Sequence, residues 1–337
     1  MTNNVQTKAE ASVTEQEISE KYNSGKKIID FVGKKKIFFI ISLAIIGIGI
    51  ICNFIFGTTL DIQFSGGATL TFSYTEDDKN PVNHDELDSF IQGKTEEKVT
   101  TKYSTDLMGN TGENVSIQFS GNNSIATEIQ KNLETELQAQ YPKNNFVCLE
   151  ANSVDASMGF SFLLKCLAAV AIASILMVLY VTIRFKKIGG LSAGVMALVA
   201  LFHDIAMIYF LYVIFRMPID SNFIAVVLMI LGYSLNDTIV IYDRVREQRK
   251  IMGRKIDIGT VFNVSCTKTI RRTIMTSVTT LAAILTVYVV ATVFNINSVK
   301  GFALPMMIGV ISGCYSSICI AGPLWVMWQR KKAAKKK

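Results

Sequence analysis

Residues 222–243 read NFIAVVLMILGYSLNDTIVIYD. Asp237 is the one charge in this run before the closing Asp243, and at about 1.5 Å per residue the run can cross a hydrocarbon layer of about 30 Å as a helix. Five further stretches share that character: residues 37–56, 160–183, 188–214, 273–294 and 301–328. Half of the 337 residues are hydrophobic, 18% are charged and the mean hydropathy is +0.35. Such values exclude a disordered polymer and argue against an ordinary soluble protein. The expected fold class is an α-helical polytopic membrane protein with six transmembrane helices.

An even number of spans places both termini on one side. Twenty-three basic residues gather at positions 26–36, 184–187, 244–272 and 330–337, whereas the other two short connections hold only Arg216 and Lys300. By the positive-inside rule the basic side is cytoplasmic. Residues 57–159 carry six Lys and no Arg against sixteen Asp and Glu, and are expected as an acidic extracytoplasmic domain. A net charge of +7 divided in this way is not a nucleic-acid footprint. Residues 1–36 read as a cytoplasmic tail, polar and mobile over 1–25, and 329–337 as a basic tail. The first span follows Lys34-Lys35-Lys36, has no small-residue cleavage pattern beyond Cys52-Asn53-Phe54, and reads as an uncleaved anchor. Ile256, Ile258, Val261 and Phe262 among Lys255, Asp257 and Lys268 predict an amphipathic connection over 244–272 along the inner membrane surface.

Five of the six cysteines lie in or beside apolar spans, with only Cys148 in the outer domain, so no disulfide framework or metal site is expected. The sequence holds no GxxxxGK[ST], HExxH or GxSxG motif, which removes the commonest warrants for an ATPase, zinc protease or hydrolase. The expectation is a non-enzyme without cofactor, driven by a partner or an ion gradient.

The outer domain has its own periodicity. Ala68, Leu70, Phe72 and Tyr74 alternate with Thr69, Thr71 and Ser73, as do Val115, Ile117 and Phe119 later, which marks half-buried strands. Asn83 and Glu86 form a candidate capping pair ahead of Leu87, Phe90 and Ile91, and Ile125, Ile129, Leu133 and Leu137 space a second helix. With strands at Val99–Tyr103 and Asn145–Ala151 the order is βαββαβ, the ferredoxin-like arrangement. Gly66-Gly67, after Phe64-Ser65, predicts a tight turn where the first span feeds the sheet. His84 beside Asp85 and Glu86 reads as a solvated helix start rather than a metal site.

A charge in hydrocarbon costs at least about 2.5–3.5 kcal/mol on insertion scales, so Asp237 needs a reason. Ser234 and Tyr233, three and four residues before it, share its helix face. In the fifth span Arg272, Thr276 and Thr280 form a stripe spaced by four, at a depth comparable with Asp237. Desolvation favours the protonated carboxyl and a nearby guanidinium the charged one, so moving Arg272 relative to Asp237 would switch protonation, as in a proton relay. The plainer alternative is a fixed ion pair holding two helices together, or Arg272 snorkelling to lipid head groups. His203-Asp204, near the middle of the third span, is a second candidate, although a packing role serves His203 equally well. Asp243, Arg244, Arg246 and Glu247 read as a solvated turn at the cytoplasmic end. Gly309 and Gly313 beside Ser312, Ser316 and Ser317 predict close helix packing, and Pro305 and Pro323 predict kinks.

Together, Gly66-Gly67, the hundred-residue outer domain, five further spans and the run GYSLNDTIVIYDRVRE at 232–247 resemble the SecF family over roughly residues 30–328. Leu201-Phe202-His203-Asp204, Arg272-Thr273-Ile274 with Thr276-Ser277, and Gly301-Phe302-Ala303 with Tyr315-Ser316-Ser317 match as well. The Ser-Leu-Asn-Asp-Thr run at 234–238 favours SecF over the related SecD. The resemblance implies an RND-like six-helix half that completes a twelve-helix unit with SecD beside the Sec channel in the bacterial cytoplasmic membrane. It implies that the proton-motive force moves the outer domains and helps preproteins leave the channel; the residues themselves leave a sodium gradient open, since an Asp among Ser, Thr and Asn can serve either ion. Asp237 would be the proton-carrying acid and Arg272 its switching partner, supported by Ser234, Asn236, Thr276, His203, Asp204 and Asp243. Partners would be SecD, the channel, preproteins and lipids. The family usually has Asp where this chain has Gln63, with Asp61 further back, which leaves the role of an outer-domain acid open. Two other readings are a passive scaffold, which would tolerate Asp237→Asn, and an RND-type small-molecule exporter, which needs a substrate pocket in the outer domain.

Overall fold

The computed structural model describes residues 28–75, 82–94, 99–105, 112–120, 127–253, 255–294 and 296–335. The tail expected over 1–25 and the predicted helix position Ile125 lie outside the described residues.

Helix α1 (Lys35–Phe56) leads through a short turn of helix, α2 (Ile62–Ser65), into the outer domain. There β1 (Gly67–Thr75), α3 (His84–Lys94), β2 (Val99–Thr105), β3 (Gly112–Ser120), α4 (Thr127–Gln140) and β4 (Val147–Val154) follow in the expected order. The strands pair antiparallel as β2-β3-β1-β4, the ferredoxin-like order, with Leu70 opposite Ile117 and Phe72 opposite Val115. Alternation puts Ala68, Leu70, Phe72 and Tyr74 on one face, where they bury against Leu87 and Ile91 of α3 and Leu133 and Leu137 of α4. Full burial of Phe72 is worth roughly 1.5–3 kcal/mol. The last strand starts at Val147 rather than Asn145, because Asn145 has φ +46, a left-handed turn conformation that Asn tolerates. Asn83 caps α3 by accepting from the Asp85 N–H at 3.1 Å.

Gly66 and Gly67 form the predicted turn at φ +78 and +133. A β-carbon on Gly67 would overlap the Phe119 carbonyl oxygen, so only glycine lets β1 and β3 meet there.

The chain then returns through α5 (Ala156–Arg184), α6 (Gly190–Ile214), α7 (Ser221–Met252), α8 (Ile258–Val293) and α9 (Asn297–Ser316), which continues through a π turn (Ser317–Ala321) into α10 (Gly322–Ala334). With α1, six helical runs among the described residues are long and apolar enough to cross a membrane. Helices α6, α7 and α9 form the buried centre. Leu43 and Phe54 of α1, Ile175 of α5, and Met275 and Val278 of α8 are exposed, as expected of lipid-facing surfaces.

The outer domain is fastened to this bundle by backbone. Leu60 and Ile219 form a parallel bridge: the Asp61 N–H donates to the Ile219 carbonyl at 3.0 Å and the Ile219 N–H to the Thr59 carbonyl at 2.9 Å. Asp220, next along, caps α7 by accepting from the Phe223 N–H at 3.2 Å. The start of α7 and the entry to the sheet are therefore joined by backbone hydrogen bonds.

The connection expected over 244–272 is not a separate surface element. Residues 244–252 prolong α7, which ends at Gly253 with φ +80, and α8 opens at Ile258 under a cap in which Asp257 accepts from the Gly259 N–H at 2.8 Å. Its apolar face packs on protein instead of lipid: Val261, Phe262, Val264 and Cys266 are buried in one cluster with Phe31 and Trp325. Asn263 accepts from the Phe31 and Val32 N–H groups at 3.1 and 3.2 Å. Outside the spans, Asp257 also pairs with Arg330. Partial burial works to raise its carboxyl, but the Arg330 hydrogen bond and charge, with the N–H groups of Gly259 and Thr260, outweigh that and hold it below the usual carboxylate range.

Candidate functional site

The central helices meet closely because α9 presents small residues. A β-carbon on Gly309 would lie 2.5 Å from Ile230 Cγ1, and one on Gly313 would lie 3.2 Å from Ser234 Cβ. Pro323 has no N–H to offer the carbonyl four residues back, and the ladder relaxes there into the π turn at Ser317–Ala321. Ser316 and Ser317, adjacent in sequence, both turn inward and are buried.

These helices enclose Asp204, which is fully buried on α6. Ser312 donates to its Oδ1 at 2.6 Å; Ser234 and Ser316 donate to its Oδ2 at 3.0 and 2.8 Å. His203 Nδ1 stands 3.3 Å from Oδ1. The hydroxyl set extends further, since Ser317 donates to the Ser234 carbonyl at 3.1 Å and Thr238 to Ser317 Oγ at 3.0 Å. The second candidate acid thus has three hydroxyl donors from two other helices.

Asp237 is different. It is buried on α7, and its Oδ2 has no hydrogen-bond partner among the described residues. Tyr233 donates to Ser277 Oγ at 3.3 Å, and Lys268 donates to Gln248 at 3.1 Å. These two contacts bracket Asp237, so the stretch of α8 opposite it lies between Lys268 and Ser277 and carries Arg272, Thr273 and Thr276. Thr273 Oγ1 is likewise buried without a hydrogen-bond partner among the described residues. Arg272 is exposed and makes no ion pair with Asp237 among the described residues. Thr276 donates to the Arg272 carbonyl at 2.9 Å, an ordinary helical back-bond. An acid with an open oxygen faces a helix whose guanidinium stands outside, so approach of one to the other is geometrically available.

The remaining predicted positions divide. Asn236 is exposed, unlike its buried neighbour Asp237. Asp243 forms ion pairs with Arg246 at 2.6 Å and with Arg184 of α5 at 3.4 Å, joining two helices at the end of the bundle away from the outer domain. Asp61 caps α2 by accepting from the Gln63 N–H at 3.1 Å, and its other oxygen accepts from Gln118 of β3 at 3.1 Å, so this acid braces the base of the outer domain. Sequence reasoning missed Ser312 and Ser316 as partners of Asp204; their only signal was the small-residue face of the sixth span.

A six-span helical membrane protein with a ferredoxin-like domain after its first helix and two buried acids on its third and fourth spans is the class that fold and site define. Residues 133–331 match the family described as "Protein export membrane protein SecD/SecF, C-terminal", and the chain belongs to that family. It is 32% identical to the protein translocase subunit SecF of Sebaldella termitidis, over 88% of this chain and 91% of that one. It is 31% identical to the protein translocase subunit SecDF of Bacillus subtilis, over 91% of this chain and 39% of that longer one. The crystal structure of SecDF, a translocon-associated membrane protein from Thermus thermophilus, superposes on 90% of this chain with a TM-score of 0.72 and 26% identity, and this chain spans 39% of it. The chain is thus a multi-pass protein-export membrane protein, similar along most of its length to SecF and to part of SecDF.

Proposed function

We propose that the chain is a SecF-type subunit that, with SecD, uses the proton-motive force to assist late steps of preprotein export through the Sec channel of a bacterial cytoplasmic membrane. The observation that carries this reading is the buried, unpartnered Oδ2 of Asp237 facing the Arg272-bearing stretch of α8. A buried carboxyl with an open oxygen exchanges a proton at little structural cost, and Arg272 supplies the charge that favours release as it approaches. Ser234 and Thr276 support the two helices. The capped start of α7 at Asp220 and the Leu60–Ile219 bridge carry its displacement to the outer domain. SecDF chains, in which the SecF-like part is fused to a longer partner, support SecD as the missing half. The basic ends of the spans support cytoplasmic termini and an outward domain in contact with emerging polypeptide and surrounding lipid.

The test is release of a preprotein arrested in the channel of membrane vesicles after ATP is withdrawn. With SecD and this chain present, an imposed proton gradient is expected to drive release and a sodium gradient of equal size is not. Release that ignores both gradients would leave the chain a passive scaffold.

A further inference from the structure

Asp204 is not needed for the exchange assigned to Asp237, yet it is the more elaborately built of the two acids. We propose that Asp204 is a second proton-binding carboxyl of the spanning region; this rests on the reading above that a buried carboxyl of these helices carries protons. The geometry that points to it is the duplication of hydrogen-bond partners around the cage. Ser316 Oγ lies 2.8 Å from Asp204 Oδ2 and also 3.3 Å from the Gly313 carbonyl. Ser234 Oγ lies 3.0 Å from the same carboxylate oxygen and 3.5 Å from Ser317 Oγ. A hydroxyl both donates and accepts. When a proton joins Oδ2, the new O–H donates to Ser316 Oγ and the hydrogen of Ser316 swings to the Gly313 carbonyl. Ser234 can likewise turn to Ser317. One proton is gained, the carboxylate charge is neutralised, no heavy atom moves, and no group is left unpaired. Loss of the proton reverses each step. A purely structural carboxylate requires the three donors; it does not require second acceptors standing ready for two of them.

The titratable groups around the cage are few. His203 on α6 stands beside Oδ1, the Tyr315 ring on α9 lies tilted with its centroid 6.0 Å from that of His203, Cys319 lies in the π turn, and Asp237 follows Ser234 by one helical turn on α7. Helix α1 contributes the Ser42 hydroxyl, 3.1 Å from Tyr315 Oη. Among the described residues no Lys or Arg forms an ion pair with Asp204; His203 is its one ionisable partner, and hydroxyls make up the rest of the cage.

The experiment is infrared difference spectroscopy of the protonated-carboxyl stretch, recorded across a pH titration of the full chain in lipid vesicles. Two components are expected, one lost in Asp237→Asn and the other in Asp204→Asn. Ser316→Ala keeps the carboxyl but removes a partner, and is expected to move the frequency of the Asp204 component while that of Asp237 stays in place. This variant decides the matter if Asp204→Asn fails to fold. A spectrum unchanged by Asp204→Asn, or a folded Ser316→Ala chain in which neither component moves, overturns the proposal. If the Asp204 component is present and the Asp237 component absent, this inference stands and the role given to Asp237 fails.

Discussion

Asp237→Asn is expected to cut gradient-driven preprotein release by about a hundredfold or more, the scale of losing a positioned proton-transfer group. The substitution keeps the shape of the side chain and removes only its titration. Because Oδ2 has no partner among the described residues, the amide breaks no hydrogen bond at that atom, and stability is expected to change by about 1 kcal/mol or less. Thermal unfolding measured beside the release assay separates the two effects. A folded, inactive Asp237→Asn chain is the signature of a proton machine, and a folded, active one that of a scaffold. Arg272→Gln is expected to follow the same pattern, since Arg272 is exposed and its removal empties no core.

The second large effect concerns packing. Gly190, at the start of α6, meets the backbone of α5, where an added β-carbon would overlap the Thr182 carbonyl oxygen. Backbone cannot rotate away as a side-chain tip can. Gly190→Val is therefore expected to force α5 and α6 apart and destabilise the chain by about 3 kcal/mol. The proper control is Gly47→Ala in α1, where nothing lies within 4 Å of the added carbon and the helix loses a flexible residue. Thermal unfolding in detergent is expected to show a clear loss for Gly190→Val and none for Gly47→Ala. Equal midpoints would mean that the α5–α6 contact yields enough to admit the side chain.

The parts of this fold that were legible in sequence are those written in one-dimensional periods. Run length alone marks the six spans, because nothing but hydrocarbon asks for twenty apolar residues in a row. The alternation from Ala68 to Tyr74 marks β1, because a sheet with one buried face repeats every two residues. Asp237 stood out as a charge where charge is costly. The cage around Asp204 did not stand out, since Ser312 and Ser316 lie 108 and 112 residues away and a serine in a spanning helix reads equally well as a small packing residue. The start of α8 misled for a related reason. An amphipathic face looks the same whether lipid or protein covers it, and only the fold shows Phe262 buried with Phe31 and Trp325. The π turn depends on a hydrogen bond that Pro323 cannot make, and spacing carries no sign of which way the ladder adjusts.

Proton movement itself is the most direct measurement. Vesicles carrying this chain with SecD and a translocating polypeptide, loaded with a pH-sensitive dye, are expected to acidify inside or out in proportion to the imposed gradient, and to lose that flux in Asp237→Asn while retaining membrane insertion. Equal flux from the parent and the Asp237→Asn chain would contradict the assignment of the proton to this carboxyl.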